Sequence, residues 1–327
     1  MELSVRIERW PLAGAFTISR GSKTEAVVVV VELDDGTCRG RGESVPYARY
    51  GETPDGIVAK IEAVRPALLR DLDRATLQRI MPPGAARNAL DCAYWDVNAK
   101  QTGRRVYELA GLSEPAPVTT AFTISLGPPA AMAEAAERAA WRPLLKVKLG
   151  ANDDVDAARI AAVRRAAPRA ELIVDANEGW AADRLVQNLG ACADAGVTLI
   201  EQPLPEGRDD ALSRIRRTIP VCADESVHDR SSLDALTGKY DSVNIKLDKA
   251  GGFTEALALS AEAERRGFTI MVGSMVATSL AVAPALLVAQ RARIVDVDGP
   301  LLLAKDRPHS LRYEGSLAYP SEPALWG

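Results

Sequence analysis

Histidine and cysteine are scarce in this chain, and their scarcity removes several chemistries at once. Among 327 residues there are two histidines, His228 and His309, and neither sits in a motif that would support a catalytic base. A Ser-His-Asp hydrolase or a multi-histidine metal centre would have to rest on one of them. The four cysteines, Cys38, Cys92, Cys192 and Cys222, are dispersed with no CxxC spacing. The opening MELSVRIERW has neither a basic start nor an apolar h-region, so no export is expected. Reduced, buried thiols in a cytoplasmic protein follow as the expectation. Long hydrophobic runs are missing too. The most apolar stretches, AVVVVVEL and SLAVAPALLVA, are too short for a membrane span and read as buried core, the second interrupted by Pro284. Neither charge sign dominates: a net charge of -4 and a pI near 5.5 give no pull toward nucleic acid or anionic membranes.

What remains is ordinary globular composition, long enough for one large domain and a smaller one. Residues 1–112 read as an α+β unit. Val27–Leu33 is a β-branched run ending at an Asp34-Asp35-Gly36 turn, which predicts a strand pair. Thr53 before Pro54 is a helix start, Ile57 to Leu69 carries apolar residues at helical spacing, and a second helix is predicted from about Ala85 to Lys100. From about Val118 the pattern becomes strand-helix alternation. Strands are predicted at Thr119–Ile124, Leu144–Leu149, Glu171–Asp175, Thr198–Glu201, Pro220–Ala223, Ser242–Lys246, Thr269–Val272 and Ile294–Val297, with alanine-rich helical segments between them. Eight strands with no glycine-rich phosphate loop after the first favour a closed (β/α) barrel at 113–304 over an open doubly wound sheet. The proline-dotted tail, 305–327, is expected to fold back on the N-terminal unit.

Charged residues stand where these apolar strands end. They are Lys146 and Lys148, Asp175, Glu201, Asp224, Lys246, and finally Asp296 and Asp298. In a parallel barrel the strand ends of one polarity open on one face, so these groups would converge. Three carboxylates from neighbouring strands repel unless a cation compensates, and hard oxygen donors favour Mg²⁺, or Mn²⁺. Lys148 and Lys246 come from opposite sides of the barrel. Lys146, two residues from Lys148, shares its face and with the metal would lower its pKa. Two lysines facing each other across a metal predict proton removal on one face of a carbon and return on the other, with an enediolate between. Asp296 and Asp298 share a face and are not needed as metal ligands, so they are free to receive a cationic substrate group.

These residues carry a resemblance. FTISRGSKTEA, PYARYGET, GAARNALDCAYWDVNAK, LLKVKLG, LIVDANEGW, IEQPLP, VCADES, VNIKLDKAGG and VDVDGP together resemble the enolase superfamily, specifically its muconate-lactonising subgroup and the bacterial L-Ala-D/L-Glu (dipeptide) epimerases. The resemblance implies an enolase-type modified (β/α) TIM barrel with an N-terminal α+β capping domain completed by the C-terminal tail. It implies Asp175, Glu201 and Asp224 as Mg²⁺ ligands, Lys148 and Lys246 as acid/base catalysts, and Lys146 as an auxiliary cation. Asp296 and Asp298 would hold the α-ammonium of a dipeptide. Specificity would come from a capping loop at about Thr17 to Thr24, with Arg20 for the side-chain carboxylate of a C-terminal Glu. Tyr50 would contact substrate, and Asn177 would stand behind the metal ligands. The implied activity is Mg²⁺-dependent epimerisation of murein-derived dipeptides, in a homo-oligomer with no nucleic-acid or membrane partner. N-acylamino acid racemase, o-succinylbenzoate synthase, muconate cycloisomerase and a non-catalytic binding protein are the alternatives on the same fold.

Overall fold

The computed structural model describes residues 1–68, 73–151 and 153–327. The predicted helical stretch from Ile57 ends at Leu69, outside the described residues; within them the helices Pro54–Ala63 and Arg65–Leu68 occupy this region. Thr53 caps the first by accepting from the Gly56 N–H at 3.1 Å.

The N-terminal unit is a three-stranded antiparallel sheet under helices. Its strands are β1 (Glu2–Ile18), β2 (Gly21–Asp34) and β3 (Arg39–Ser44), paired in that order. The helix Ala85–Thr102 packs across β3 and β2. β2 explains its own unbroken valine run. Val28 and Val30 join the barrel's main core, while Val29, Val31 and Leu33 face the capping helices, so both faces are buried. The segment from Thr17 to Thr24, expected as a loop, is the tip of the β1–β2 hairpin, turning at Ser19 and Arg20.

The barrel strands are β5 (Phe122–Ile124), β6 (Leu144–Lys148), β7 (Glu171–Asp175), β8 (Val197–Glu201), β9 (Val221–Ala223), β10 (Ser242–Ile245), β11 (Thr269–Gly273) and β12 (Ile294–Asp296), following β4 (Val118–Thr119). Each of the eight pairs in parallel with the next in chain order. The Ala121 N–H donates to Val295 O at 2.8 Å across the seam, which nearly closes the barrel. The residues predicted as one strand, Thr119–Ile124, divide into β4 and β5. β4 instead pairs with β14 (Leu317–Ala318), itself paired with β13 (Tyr313–Glu314) from the tail. Between β8 and β9 there is a short 3₁₀ turn, Asp210–Ser213, and between β9 and β10 a 3₁₀ turn, Arg230–Ser232, running into the short helix Leu233–Leu236, in place of longer helices. The helix Ser279–Ala289, which carries Pro284, is buried along its whole length. At the end of the tail, Trp326 Nε1 donates to Cys92 O at 3.0 Å and the Gly327 N–H donates to Asp96 at 2.8 Å, both on the capping helix. All four cysteines are free. No helix among the described residues is long and apolar enough to cross a membrane.

Candidate active site

The period of two along a strand builds the site. Leu144, Ile173, Leu199, Cys222, Met271 and Ile294 form an apolar layer within the barrel. Two residues further along the same strands stand Lys146, Asp175, Glu201, Asp224, Gly273 and Asp296, on the same face and nearer the strand ends. Lys148 and Asp298 lie one more step toward the mouth. Gly273 supplies room: a Cβ there would sit 2.7 Å from Asn244 Oδ1 and 3.1 Å from Lys246 Cε.

Asp175, Glu201 and Asp224 offer oxygen atoms within 4.8 Å of one another, all buried. The lysines close on them. Lys148 Nζ is 2.6 Å from Asp175 Oδ2, and Lys246 Nζ is 2.7 Å from Asp224 Oδ2. Lys146 Nζ is shared among Glu201 Oε2 at 2.6 Å, Asp296 Oδ2 at 2.7 Å and Asp175 Oδ2 at 3.2 Å. One ammonium cannot neutralise three carboxylates, and Glu201 is the one left uncompensated. Burial first, then the charge of Asp175, pushes its carboxyl up to about 8 against the pull of Lys146. Its Oε2 accepts no aligned hydrogen bond, although Lys146 lies close. Asp175 and Asp224 go the other way. Burial would raise both, but Lys148 and Lys146 hold Asp175 below the usual carboxylate range, and Lys246 and Lys249 hold Asp224 well below it. Burial alone would lower Lys246; its bond to Asp224 outweighs that and holds it above the ordinary lysine value. Asn244 Nδ2 donates to Glu201 Oε1 at 2.8 Å, and three buried hard-oxygen donors, one of them with an oxygen that accepts no hydrogen bond and a carboxyl that burial keeps from ionising readily, fit a divalent cation such as Mg²⁺.

Above this cluster lies a cavity of about 380 Å³, lined among others by Lys148, Lys246, Asp296, Asp298, Arg20 and Lys23. That volume suits a small ligand. Asp298 Oδ2 accepts the Thr123 N–H at 2.7 Å, and burial, then repulsion by Asp296, raises its carboxyl to about 7. Asp296 Oδ1 has no hydrogen-bond partner. This corner of the cavity therefore favours an incoming cation.

The capping residues divide unequally. Arg20 is already engaged: Nη2 donates to Glu225 at 2.5 Å and Tyr47 OH at 2.6 Å, and Nη1 donates to Asn177 O at 2.7 Å. Tyr50 is absent from the cavity wall, which Tyr47 occupies; the Tyr50 ring packs edge-on to Tyr47 and His228, with ring centroids 5.3 and 4.7 Å away. Asn177 donates to Asp175 twice, from its backbone N–H to Oδ1 at 2.8 Å and from Nδ2 to Oδ2 at 3.2 Å.

The comparisons match this architecture. Residues 1–111 match the mandelate racemase / muconate lactonizing enzyme N-terminal domain, and residues 130–321 match the enolase C-terminal domain-like family. The chain belongs to the enolase superfamily. It is 47% identical over 308 residues to the L-Ala-D/L-Glu epimerase of Escherichia coli (strain K12), covering 94% of this chain and 95% of that protein. It is 45% identical to an N-acetyl-D-glutamate racemase of a Pseudoalteromonas species, covering 92% and 95%. An enolase family member from Agrobacterium tumefaciens with homology to dipeptide epimerases, solved with sodium and L-Ala-L-Glu, superposes with a TM-score of 0.97 at 53% identity, covering 99% of both chains.

In this enolase-superfamily site, three charged residues escaped the sequence reading. Lys23, on the hairpin tip, lines the cavity with no carboxylate partner among the described residues. Burial, then Lys148 and Lys246, lowers its pKa to about 8. Lys249 Nζ donates to Asp224 Oδ1 at 2.5 Å and to Asn244 O at 3.1 Å. Glu225, beside Asp224, receives Arg20 and is pushed up to about 6 by burial and by Asp224. Lys23, Lys249 and Glu225 all stood inside quoted motifs, FTISRGSKTEA, VNIKLDKAGG and VCADES, without being singled out. Lys23 had no periodic signal, because hairpin tips carry none.

Proposed function

We propose that this protein is a dipeptide epimerase of the L-Ala-D/L-Glu type, inverting the α-carbon of the C-terminal residue by a two-base 1,1-proton transfer. The observation that carries the reading is the placement of Lys148 and Lys246. They come from the second and sixth of eight barrel strands and face one cavity from opposite sides, beside the acidic cluster.

Asp175, Glu201 and Asp224 would hold Mg²⁺ (Mn²⁺ suits the same donors), which would supply positive charge to acidify a C–H bond next to a carboxylate. One lysine takes the α-proton while the C–H electron pair passes into the adjoining carboxylate. The opposite ammonium then returns a proton on the other face. Lys146, held among three carboxylates, is a fixed cation and not a proton carrier. Asp296 and Asp298 receive the dipeptide's α-ammonium: one offers an unpartnered oxygen, the other a carboxyl that a cation would ionise. Lys23 meets the side-chain carboxylate of the C-terminal Glu, since Arg20 is held by Glu225 and Asn177 and serves to lock the hairpin tip to the barrel. Asn177 orients Asp175. Residues 1–112 cap the site, 113–304 form the barrel, and 305–327 complete the cap. Murein-derived peptides in the cytoplasm are the natural source of such substrates.

A second reading, racemisation of N-acylated glutamate, is favoured by the Pseudoalteromonas relative. The two differ in whether the substrate carries a free ammonium. Comparing kcat/KM for L-Ala-D-Glu and N-acetyl-D-glutamate tests them. The dipeptide is expected to be the better substrate, and Asp298→Asn should lower its kcat/KM while leaving that of the N-acetyl compound. A preference for the N-acetyl substrate would replace the first reading by the second.

A further inference from the structure

The two lysines are not held alike. Lys148 is the last residue of β6, and the strand ladder reaches it, pairing it with Asp175 of β7. Lys246 follows the end of β10; the ladder stops at Ile245, opposite Val272. Its backbone instead opens a single helical turn, Leu247–Ala250, in which Lys246 O accepts from the N–H groups of Lys249 at 3.1 Å and Ala250 at 3.0 Å. A turn this short has no stability of its own.

That turn is gripped from outside the barrel. The capping helix Ala85–Thr102 presents Arg87, Asn88 and Asp91 to it. Arg87 Nη2 donates to Ala250 O at 2.7 Å and Nε donates to Gly251 O at 3.0 Å, satisfying carbonyls at the end of the turn. Asn88 Nδ2 donates to Asp248 Oδ1 at 2.8 Å, and the Val45 N–H donates to the same oxygen at 2.9 Å. Asp91 accepts the Thr254 N–H at 2.8 Å and its hydroxyl at 2.7 Å, fixing the start of the next helix. The approach leaves no space. Gly251 and Gly252 have φ of 79° and 117°, and a Cβ there would lie 2.6 Å from Arg87 Nε and 2.5 Å from Asp91 Cβ. Arg87 is itself pinned, with Nη1 donating to Met81 O at 3.1 Å.

We infer that Arg87, supported by Asn88, is a positioning residue for one of the two bases: it sets the placement of Lys246 and leaves that of Lys148 untouched. The capping domain then does more than cover the mouth, because it sets half of the proton-transfer machinery from behind. This rests on the two-base reading, and it predicts an asymmetry that a merely structural role would not produce. Each lysine ammonium carries three interchangeable hydrogens, so a correctly placed lysine can exchange the α-proton on its own face without inversion. Inversion needs both lysines.

The test uses Arg87→Met, which removes the donors, Arg87→Lys, which restores one, and Asn88→Ala, which releases only the Asp248 bond. L-Ala-L-Glu and L-Ala-D-Glu are incubated separately in D₂O, and deuterium in the recovered starting epimer is scored apart from inversion. In Arg87→Met inversion should fall about tenfold or more in both directions, the scale of a misplaced reacting group. Exchange should stay within about twofold of wild type for one epimer, the one facing Lys148, and fall with inversion for the other. Arg87→Lys should recover part of the loss, and Asn88→Ala should show the same asymmetry more weakly. If Arg87→Met does not fold, Asn88→Ala decides alone. Proportional loss of exchange in both epimers, or unchanged inversion, overturns the positioning role. Wild-type inversion without any label overturns instead the two-base reading beneath it.

Discussion

Replacing Lys23 by methionine tests which cation reads the substrate's side chain. Lys23 is half-buried on the hairpin tip, its Nζ 5.6 Å from the centre of the Phe16 ring, with no carboxylate partner among the described residues. Two unit charges about 4 Å apart at an effective dielectric of about 20 attract by about 4 kcal/mol. Partial exposure and salt screening reduce that to about 1.5–3 kcal/mol, or about 10- to 100-fold in rate. The assay is a double-mutant cycle: kcat/KM for L-Ala-L-Glu and L-Ala-L-Gln, with wild type and Lys23→Met. Glutamine keeps the shape and removes the charge. The Glu/Gln ratio should collapse by about 10- to 100-fold in the variant. Arg20→Met should lower both substrates together, because Arg20 ties the hairpin tip to Glu225 and Asn177. A Glu/Gln ratio unchanged in Lys23→Met refutes the assignment, and a ratio that collapses in Arg20→Met returns the role to Arg20.

Lys148→Ala and Lys246→Ala should each abolish inversion while leaving proton exchange in one epimer, a different epimer for each variant; full activity in either removes that lysine from the mechanism. The pH profile of kcat/KM should be bell-shaped. The Asp298 carboxyl, raised to about 7, must ionise to pair with the ammonium, so activity rises with pH toward 7. Lys23, lowered to about 8, must stay protonated, so activity falls as pH passes 8; in Lys23→Met the limb should become shallower, keeping only the part set by the substrate's own α-ammonium, which also titrates at about 8. Adding Mg²⁺ to chelator-treated protein should raise its thermal midpoint, by about 2.7 kcal/mol of stability at a hundredfold excess over Kd, and Asp224→Asn should lose the shift.

The barrel and its charges were legible because burial on both faces leaves continuous apolar strands, and each charged residue breaks one of them at its end. Asp175, Glu201 and Asp224 announced themselves this way. The capping unit was harder. β1 carries Pro11 and a register shift between Pro11 and Phe16, so no clean alternation marks its length. The hairpin tip read as a loop, which hid the inward direction of Lys23 and made Arg20, the stronger carboxylate binder in isolation, the natural choice. In the fold Arg20 is paired with Glu225, a partnership between residues 20 and 225 that is invisible in the sequence, and this is what turns the proposal toward Lys23. The split of β4 from β5 likewise depends on the tail, whose strands β13 and β14 draw β4 away from the barrel. Arg87, Asn88 and Asp91 sit within the helix predicted from about Ala85 to Lys100, and nothing in its period distinguishes a residue that touches solvent from one that grips a turn in another part of the chain.

The central claim is that Lys148 and Lys246 act on opposite faces of one carbon. Following L-Ala-L-Glu and L-Ala-D-Glu in D₂O by mass and NMR measures this most directly. Deuterium should enter the Glu α-carbon in every inverted molecule, whichever epimer is supplied, while the Ala α-carbon stays unlabelled. Inversion that carries the original proton across, with no solvent label in the product, would contradict the account.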